Sequence, residues 1–505
     1  MARTEHRGAW LITLALLLAA GCVLRFHELG HDGLWTDELF TSSMVRQHPL
    51  KWGHSSFRRV SVFEVTPGDS FWTAKGGEQS PPLYELLTKA VVTVLGSSEF
   101  SLRLVSALAG CLWLIYLARR AMKAREPFMR RAYLCTLVIS AVSVALIEYS
   151  QECRAYGLGA LFTGILADRW LERWRTGFAQ AELPGYGELG LFILGCHTHY
   201  NATVFCALLL GSYGVAALHT KRYRALARLA LVPLACVPWL VLNAHTILLT
   251  SKGGVRWREF GVQEALRGAL QCVLELPGTW VLLLGGAALL LAAGRRLFGR
   301  STEGAGVWRT LLALLVLSTV YASLIGFVTM RAGMLHPRYY LYLLPTVYLG
   351  TGLLLAAAFS RVSIVAIPLA LLVASSVTDV RSYYAKERNG YREVTRWLRT
   401  HGDASSALLY TWAPNLSVYR YYLETFFGPD ADERAIPISG VQEGPEVCER
   451  LGDAPRVLVI AHYTHRPFAA AALEACGTRY QHTGELEYRE VVGQVWTRRP
   501  PSVAQ

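Results

Sequence analysis

Three stretches of this chain, 276–294, 310–330 and 339–360, contain no charged residue. An apolar run of about 18 residues or more is long enough to cross a bilayer as a helix. No soluble fold accounts for so many runs of this kind, so the chain reads as a polytopic membrane protein. Composition agrees: 17% of residues are charged and 52% are hydrophobic, against about 25% charged in an ordinary soluble protein.

The formal net charge is +13. In a soluble protein that balance suits nucleic acid. Here most basic residues sit in short loops between apolar runs, the positive-inside pattern of membrane proteins, so no nucleic-acid partner is expected. The ten cysteines show no CxxC or His/Cys metal spacing. Most lie inside apolar runs, where they serve as small apolar residues. Cys448 and Cys476 lie in the tail and become a candidate disulfide if the tail faces an oxidising compartment. The N-terminus is basic and then apolar over 8–24, like a signal peptide, but Arg25, His27 and Glu28 follow directly. An uncleaved first helix is expected.

Spans are expected near 8–26, 102–118, 132–147, 155–168, 186–197, 201–218, 229–248, 276–294, 310–330, 339–360 and 362–378. The basic loops fix this set of about eleven. Arg119 to Arg131, Arg169 to Arg175, Lys221 to Arg228 and Arg295 to Arg309 all fall on one side of the membrane only if 186–218 holds two spans. That side is cytoplasmic, together with the N-terminus, and the C-terminus lies outside. The expected domains are a transmembrane part, 1–378, and a soluble extracytoplasmic part, 379–505. Within the first, 28–100 forms a large outer loop. Its segment 81–95 has helical apolar periodicity and ends at Gly96-Ser97-Ser98, which suits an amphipathic helix lying in the interface. In the tail, 391–400 and 467–476 read as helices, and 407–410, 457–460 and 491–497 as strands. That alternation describes a small α/β domain.

The residues able to carry chemistry gather in the outer segments. Asp37 and Glu38 follow the first span, where partial desolvation raises a carboxylate toward a useful base. The bland alternative is a helix N-terminus, with Glu38 complementing the dipole. Tyr84 stands in a PPLY segment, and Arg103 lies near the outer end of span two. A snorkelling anchor is its plainer role. Glu148, Glu152 and Arg154 crowd a very short turn, and a local Glu152–Arg154 ion pair is the simplest account of them. His197 and His199 share the next outer turn without a nearby carboxylate, a weak zinc signal. His336 and Arg338 stand at the mouth of span ten. Arginine there suits a phosphate or an interfacial anchor beside a tyrosine belt.

Taken in order, the Asp37-Glu38 pair, PPLY, G-S-S-E-F-S-L-R-L-V-S-A-L-A-G, Q-E-C-R-A-Y-G-L and H-P-R-Y-Y resemble the GT-C superfamily of membrane glycosyltransferases. The branch concerned includes bacterial protein mannosyltransferase-like and aminoarabinose-transferase-like enzymes. The resemblance runs through about 30–345, and the tail is similar to the variable outer domain of such proteins. It implies a GT-C-type helical membrane fold in the bacterial plasma membrane and inverting transfer from a polyprenyl-phosphate sugar. The acceptor would be a lipid, protein or cell-wall polysaccharide on the outer face. By the same resemblance Asp37 is the general base and Glu38 a supporting acid. Arg154, Arg338 and His336 take the donor phosphate, and Glu152, Tyr84 and Arg103 support the site. The departing polyprenyl phosphate is a stable anion, so cations rather than a general acid are required. One departure stands out: Ser80 occupies the place of a lysine that the aminoarabinose-transferase branch carries before its proline. No D-x-D motif falls in a membrane loop, so neither metal nor other cofactor is expected. Asp430-Ala431-Asp432 lies in the tail.

A flippase or transporter is the main competing reading, and it calls for ionisable residues deep in the spans. A glycan ligase would rely on outer Arg and His. A non-catalytic scaffold would have no use for the acidic pair.

Overall fold

The computed structural model describes residues 2–46, 50–52, 63–65, 70–78, 80–178, 183–253, 303–331, 336–359, 362–385, 390–403, 405–411, 416–428, 430–431, 435–438, 444–462, 466–488 and 491–500, with single positions at 263, 267, 270, 286 and 288. The span expected at 276–294 lies almost wholly outside these residues.

Two compact units divide the chain. One comprises Met1–Leu29 and Lys75–Ala385, the other Gly30–Ala74 and Lys386–Gln505. The expected outer loop 28–100 is therefore shared: its first part groups with the tail, and the part from Lys75 onward with the helices.

The first unit is helical, and the chain is a polytopic integral membrane protein. Among the described residues, five helices are long and apolar enough to span a bilayer: Glu99–Lys123, Tyr200–His219, Tyr223–Ala244, Trp308–Thr329 and Pro337–Ala358. In chain order the unit holds α1 (Ala2–Phe26), α3 (Phe71–Gly77, which ends within it), α4 (Leu83–Leu95), α5 (Glu99–Lys123), α6 (Pro127–Val142) and α7 (Val144–Glu148). Then come α8 (Tyr156–Thr176), α9 (Tyr186–Cys196), α10 (Tyr200–His219), α11 (Tyr223–Leu229), α12 (Leu231–Gly253), α13 (Glu303–Arg331), a 3-10 turn at Pro337–Leu343, α14 (Leu344–Ala358) and α15 (Val362–Ala385). The expected spans outside 276–294 fall on these helices, with breaks at Ser143 and Ala230 and a 3-10 start at Pro337–Leu343.

The expected span 132–147 needs a correction. Helix α6 ends at Val142, Ser143 turns extended, and its hydroxyl accepts from Leu146 N–H to start α7. The Ser143 hydroxyl also meets the Tyr348 hydroxyl at 2.7 Å, so tertiary bonding interrupts the apolar run. Residues 186–218 do form two helices, separated at 197–199, where the His199 ring accepts from Asn201 N–H and caps α10. Between α4 and α5 the stop signal acts as expected. Gly96 adopts a left-handed φ of 79°, and Ser98 with Ser101 forms a reciprocal capping box.

The second unit contains α2 (Thr36–Arg46) and a short antiparallel pair, β1 (Leu50–Trp52) with β2 (Phe63–Val65). Its tail is an α/β layer: α16 (Tyr391–His401), β3 (Ala407–Thr411), α17 (Leu416–Phe427), β4 (Ala435–Ile438), α18 (Gly444–Leu451), β5 (Arg456–His462), α19 (Arg466–Glu474), β6 (Tyr480–Tyr488) and β7 (Val491–Arg498). The sheet order is β4-β3-β5-β7-β6. Strand β3 runs parallel to β4 and β5, whereas β7 runs antiparallel to β5 and β6. Central β5 is apolar and buried from Val457 to Ala461, as a strand covered on both faces must be. Leu409, Ile436, Val457, Val459 and Leu473 are its buried neighbours and core. Cys448 and Cys476 are joined in a disulfide, with Cα atoms 5.3 Å apart.

Candidate active site

In the helical unit, one cluster is built from the end of α3, the turn into α4, the 148–155 turn, the cap of α10 and the 3-10 turn. Lys75 closes α3 with its side chain fully buried. Its ammonium donates to Glu78 and to Ser80 Oγ at 2.8 Å, and forms an ion pair with Glu85 Oε2 at 3.2 Å. The Glu78 carboxylate also accepts from Ser80 N–H at 3.1 Å. Pro81-Pro82 cannot donate backbone hydrogen bonds, so this polar side-chain knot supplies the ordering ahead of α4.

Burial pushes the Glu78 carboxyl up, but Lys75 and Arg154 together outweigh it and hold Glu78 below the usual carboxylate range. At Glu85 burial wins against Lys75, with the Glu78 charge adding to it, and the carboxyl is raised. Two carboxylates share one ammonium. The one facing Arg154 more strongly keeps its charge more easily.

Tyr84 and the Arg154 turn are tied together through α5. The Tyr84 hydroxyl pairs with Ser106 Oγ at 2.9 Å and donates to the Glu152 carbonyl at 3.4 Å, while Ser106 donates to the Arg154 carbonyl at 3.1 Å. Thus Tyr84, Glu152 and Arg154 come together, Glu152 through its backbone. The α4 start is also pinned to the 197–199 turn by Leu83 N–H donating to the His197 carbonyl.

Arg338 lies over the Tyr156 ring at 6.0 Å and the Tyr339 ring at 5.8 Å. The His199 ring stacks on Tyr342 at 5.5 Å and meets Tyr156 at the same distance. Burial lowers the His199 pKa to about 3, with Arg154, Arg338 and Lys75 pushing the same way and Glu78 opposing. Arg154, Arg338 and Lys75 therefore all disfavour a charge on this half-buried ring. His336 stands apart from this focus: its side chain is exposed and its ring accepts from Arg338 N–H, capping the 3-10 turn. Arg103 is buried rather than snorkelling, and donates to the Leu29 carbonyl at 3.1 Å.

Asp37 and Glu38 belong to the other unit. Asp37 is half-buried in the first turn of α2. Glu38 is fully buried and accepts from Trp35 N–H at 3.2 Å, a contact of the helix-start kind. Its neighbour Leu34 donates its N–H to the Tyr422 hydroxyl, tying the acidic turn to α17 of the tail.

Sequence reasoning left out Lys75, Glu78 and Glu85 and gave His199 no part in the site beyond a weak zinc signal. One signal was available. Seven of the 50 basic residues are lysine, and Lys75 stands in the expected outer loop five residues before Ser80. Ser80 replaces the lysine of the aminoarabinose-transferase motif, yet an ammonium reaches its hydroxyl from α3.

No protein family matches the chain, and no curated protein matches it. Two solved structures are similar to it: the crystal structure of ArnT from Cupriavidus metallidurans bound to undecaprenyl phosphate, and that of the same protein in the apo state. The first has 12% identity and a TM-score of 0.47, covering 96% of this chain and 98% of that one. The second has 14% identity and a TM-score of 0.44, covering 97% and 98%.

Proposed function

We propose that this protein is an inverting glycosyltransferase that moves a sugar from a polyprenyl-phosphate donor to a lipid, protein or polysaccharide acceptor on the outer face of the bacterial plasma membrane. The observation that carries this reading is the gathering of Lys75, Tyr84 and the Arg154 turn at the start of α4, with the His199 ring against Tyr156, over which Arg338 lies. Lys75 is held by Glu78 and Glu85, Glu85 resists ionisation, and Arg154 and Arg338 bring two guanidinium groups to the same cluster. Such a focus suits a phosphate whose negative charge grows as the glycosidic bond breaks.

In the reaction, the acceptor oxygen attacks the anomeric carbon from the face opposite the phosphate. The carbon–oxygen bond to phosphate breaks, and polyprenyl phosphate leaves with the electron pair. Arg154 and Arg338, both partly exposed, are the donor-phosphate ligands. His336 orients Arg338 through its backbone bond. Lys75 is a positioning residue: it neutralises Glu78 and Glu85, so that the arginines face the phosphate rather than the acids. Tyr84, Glu152 and Arg103 fix the arginine turn and span two. Asp37 takes the acceptor proton. The lowered pKa of Glu78 makes it a poorer base, which favours a clamp role over a catalytic one. The outward orientation rests on the basic loops and on the tail disulfide, which suits an oxidising compartment.

Transfer from a radiolabelled polyprenyl-phosphate sugar panel into membrane glycans tests the reading, with wild type compared against Asp37→Asn. Wild type is expected to transfer, and the variant to lose about 100-fold or more. Equal transfer by both would remove Asp37 from the role of base. No transfer from any donor by an intact protein would turn the reading toward a flippase or scaffold.

A further inference from the structure

At the far end of α5 from Glu99, the ends of α5, α6 and α8 border a cavity of about 290 Å³. Arg120, Lys123, Arg125 and Arg175 line it, against Glu126 and Glu172. Both acids are already engaged. Arg175 meets Glu126 at 2.7 Å, and Glu172 accepts from Arg120 at 3.1 Å and from Arg169 at 3.4 Å. Beneath them, buried Asp168 binds Arg120 at 2.7 Å and accepts from the Tyr133 hydroxyl at 2.7 Å. Arg120 and Arg175 are thus neutralised within the wall. Lys123 and Arg125 are exposed, and neither has an acidic partner among the described residues. The floor is apolar, formed by buried Met129 and Leu171.

We infer that this cavity binds the headgroup phosphate of an anionic phospholipid. The phosphate sits between Lys123 and Arg125, with Met129 and Leu171 almost wholly buried behind it. Helix α5 is long and apolar enough to span the bilayer, so its last turn opens at headgroup depth. Cationic pockets between spanning helices recognise anionic headgroups by this combination of surplus charge and apolar wall. A soluble phosphate would meet the same two cations but would lack acyl chains anchored in the bilayer. The site depends on the helices spanning a membrane and not on the transfer chemistry.

Native mass spectrometry of the full chain, titrated with phosphatidylglycerol and in parallel with phosphatidylcholine, provides the test. The variant is Lys123→Gln with Arg125→Gln, whose exposed side chains leave the Arg120–Asp168 framework intact. A thermal unfolding midpoint matching wild type verifies its fold. The expected result is preferential phosphatidylglycerol binding that weakens about 25-fold in the variant, or about five-fold for each cation lost. Equal binding of both lipids, or undiminished phosphatidylglycerol binding by the variant, overturns the proposal. Displacement of the lipid by millimolar inorganic phosphate overturns it too, by assigning the cavity to a soluble anion.

Discussion

Lys75 is the residue on which the buried acids depend. Removing it leaves Glu78 and Glu85 close together without their shared ammonium. Breaking a buried ion pair from one side costs about 3–5 kcal/mol, because the other charge stays behind. Lys75→Met is therefore expected to lower the thermal midpoint strongly, and Lys75→Met with Glu85→Gln to recover part of the loss. A single variant as stable as wild type would show that the knot contributes little. His199 gives a pH test. Its folded pKa is about 3 against about 6.5 in the unfolded chain. The unfolded state therefore binds more protons between those values, and the stability that neutral His199 contributes is present above about pH 6.5 and lost as pH falls toward 3. His199→Asn keeps an N-cap acceptor and removes the titration. Between pH 7.5 and 5, wild type is expected to lose roughly 5 °C more of its thermal midpoint than the variant. Parallel slopes for the two proteins would sink this account. The arginines of the site were legible because charge in a very short outer turn is conspicuous. The acids around Lys75 were not, because their meaning depends on α3 folding back onto α4, which no local pattern announces.

At the scale of elements, most helices were legible because apolar runs and caps agree, as at Gly96 and Ser98. Strand β6 was missed because it is a largely exposed edge strand carrying Gln481, His482, Glu485 and Glu487, without a clean apolar alternation. Strand β4 was hidden by Pro437, which edge strands tolerate and central ones do not. The break at Ser143 was invisible because its cause is Tyr348, some 200 positions along the chain. The pairing of α14 with α6 depends on Gly352, where an added Cβ would stand 2.2 Å from Thr136 Oγ1 and 2.5 Å from the Ala132 carbonyl. Thr136 is held there by donating to the Ala132 and Tyr348 carbonyls, so it cannot swing aside cheaply. Gly352→Val is expected to cost about 1–3 kcal/mol by overpacking, read as a lower thermal midpoint. Gly211→Ala on α10, with nothing within 4 Å of the new methyl, serves as the control and should be neutral or mildly stabilising. Equal behaviour of the two variants would remove close helix contact as the reason for Gly352.

Across the whole molecule, the proposed orientation sets two chemical environments at the two ends of α5. The Lys123 end belongs to the basic loops, and the Glu99 end to the outer segments with the tail. Cysteine chemistry separates them. The tail cysteines, Cys448 and Cys476, are bonded to each other, whereas Cys111, Cys135, Cys153, Cys196 and Cys206 are buried in the helical unit. A membrane-impermeant maleimide applied to intact cells should therefore leave the native tail unlabelled until a reductant is added, and then label it. A cysteine placed at Arg125, in the exposed turn between α5 and α6, should resist the same reagent with or without reductant until the membrane is opened. Positive-inside sorting acts on short loops of this kind and is nearly indifferent to long translocated domains. The Arg125 position is thus the more demanding of the two probes. Labelling there in intact cells would invert the topology and move the arginine cluster to the cytoplasmic face. A tail that labels before reduction would break only the disulfide part of the case, because the loop charges bear on orientation independently.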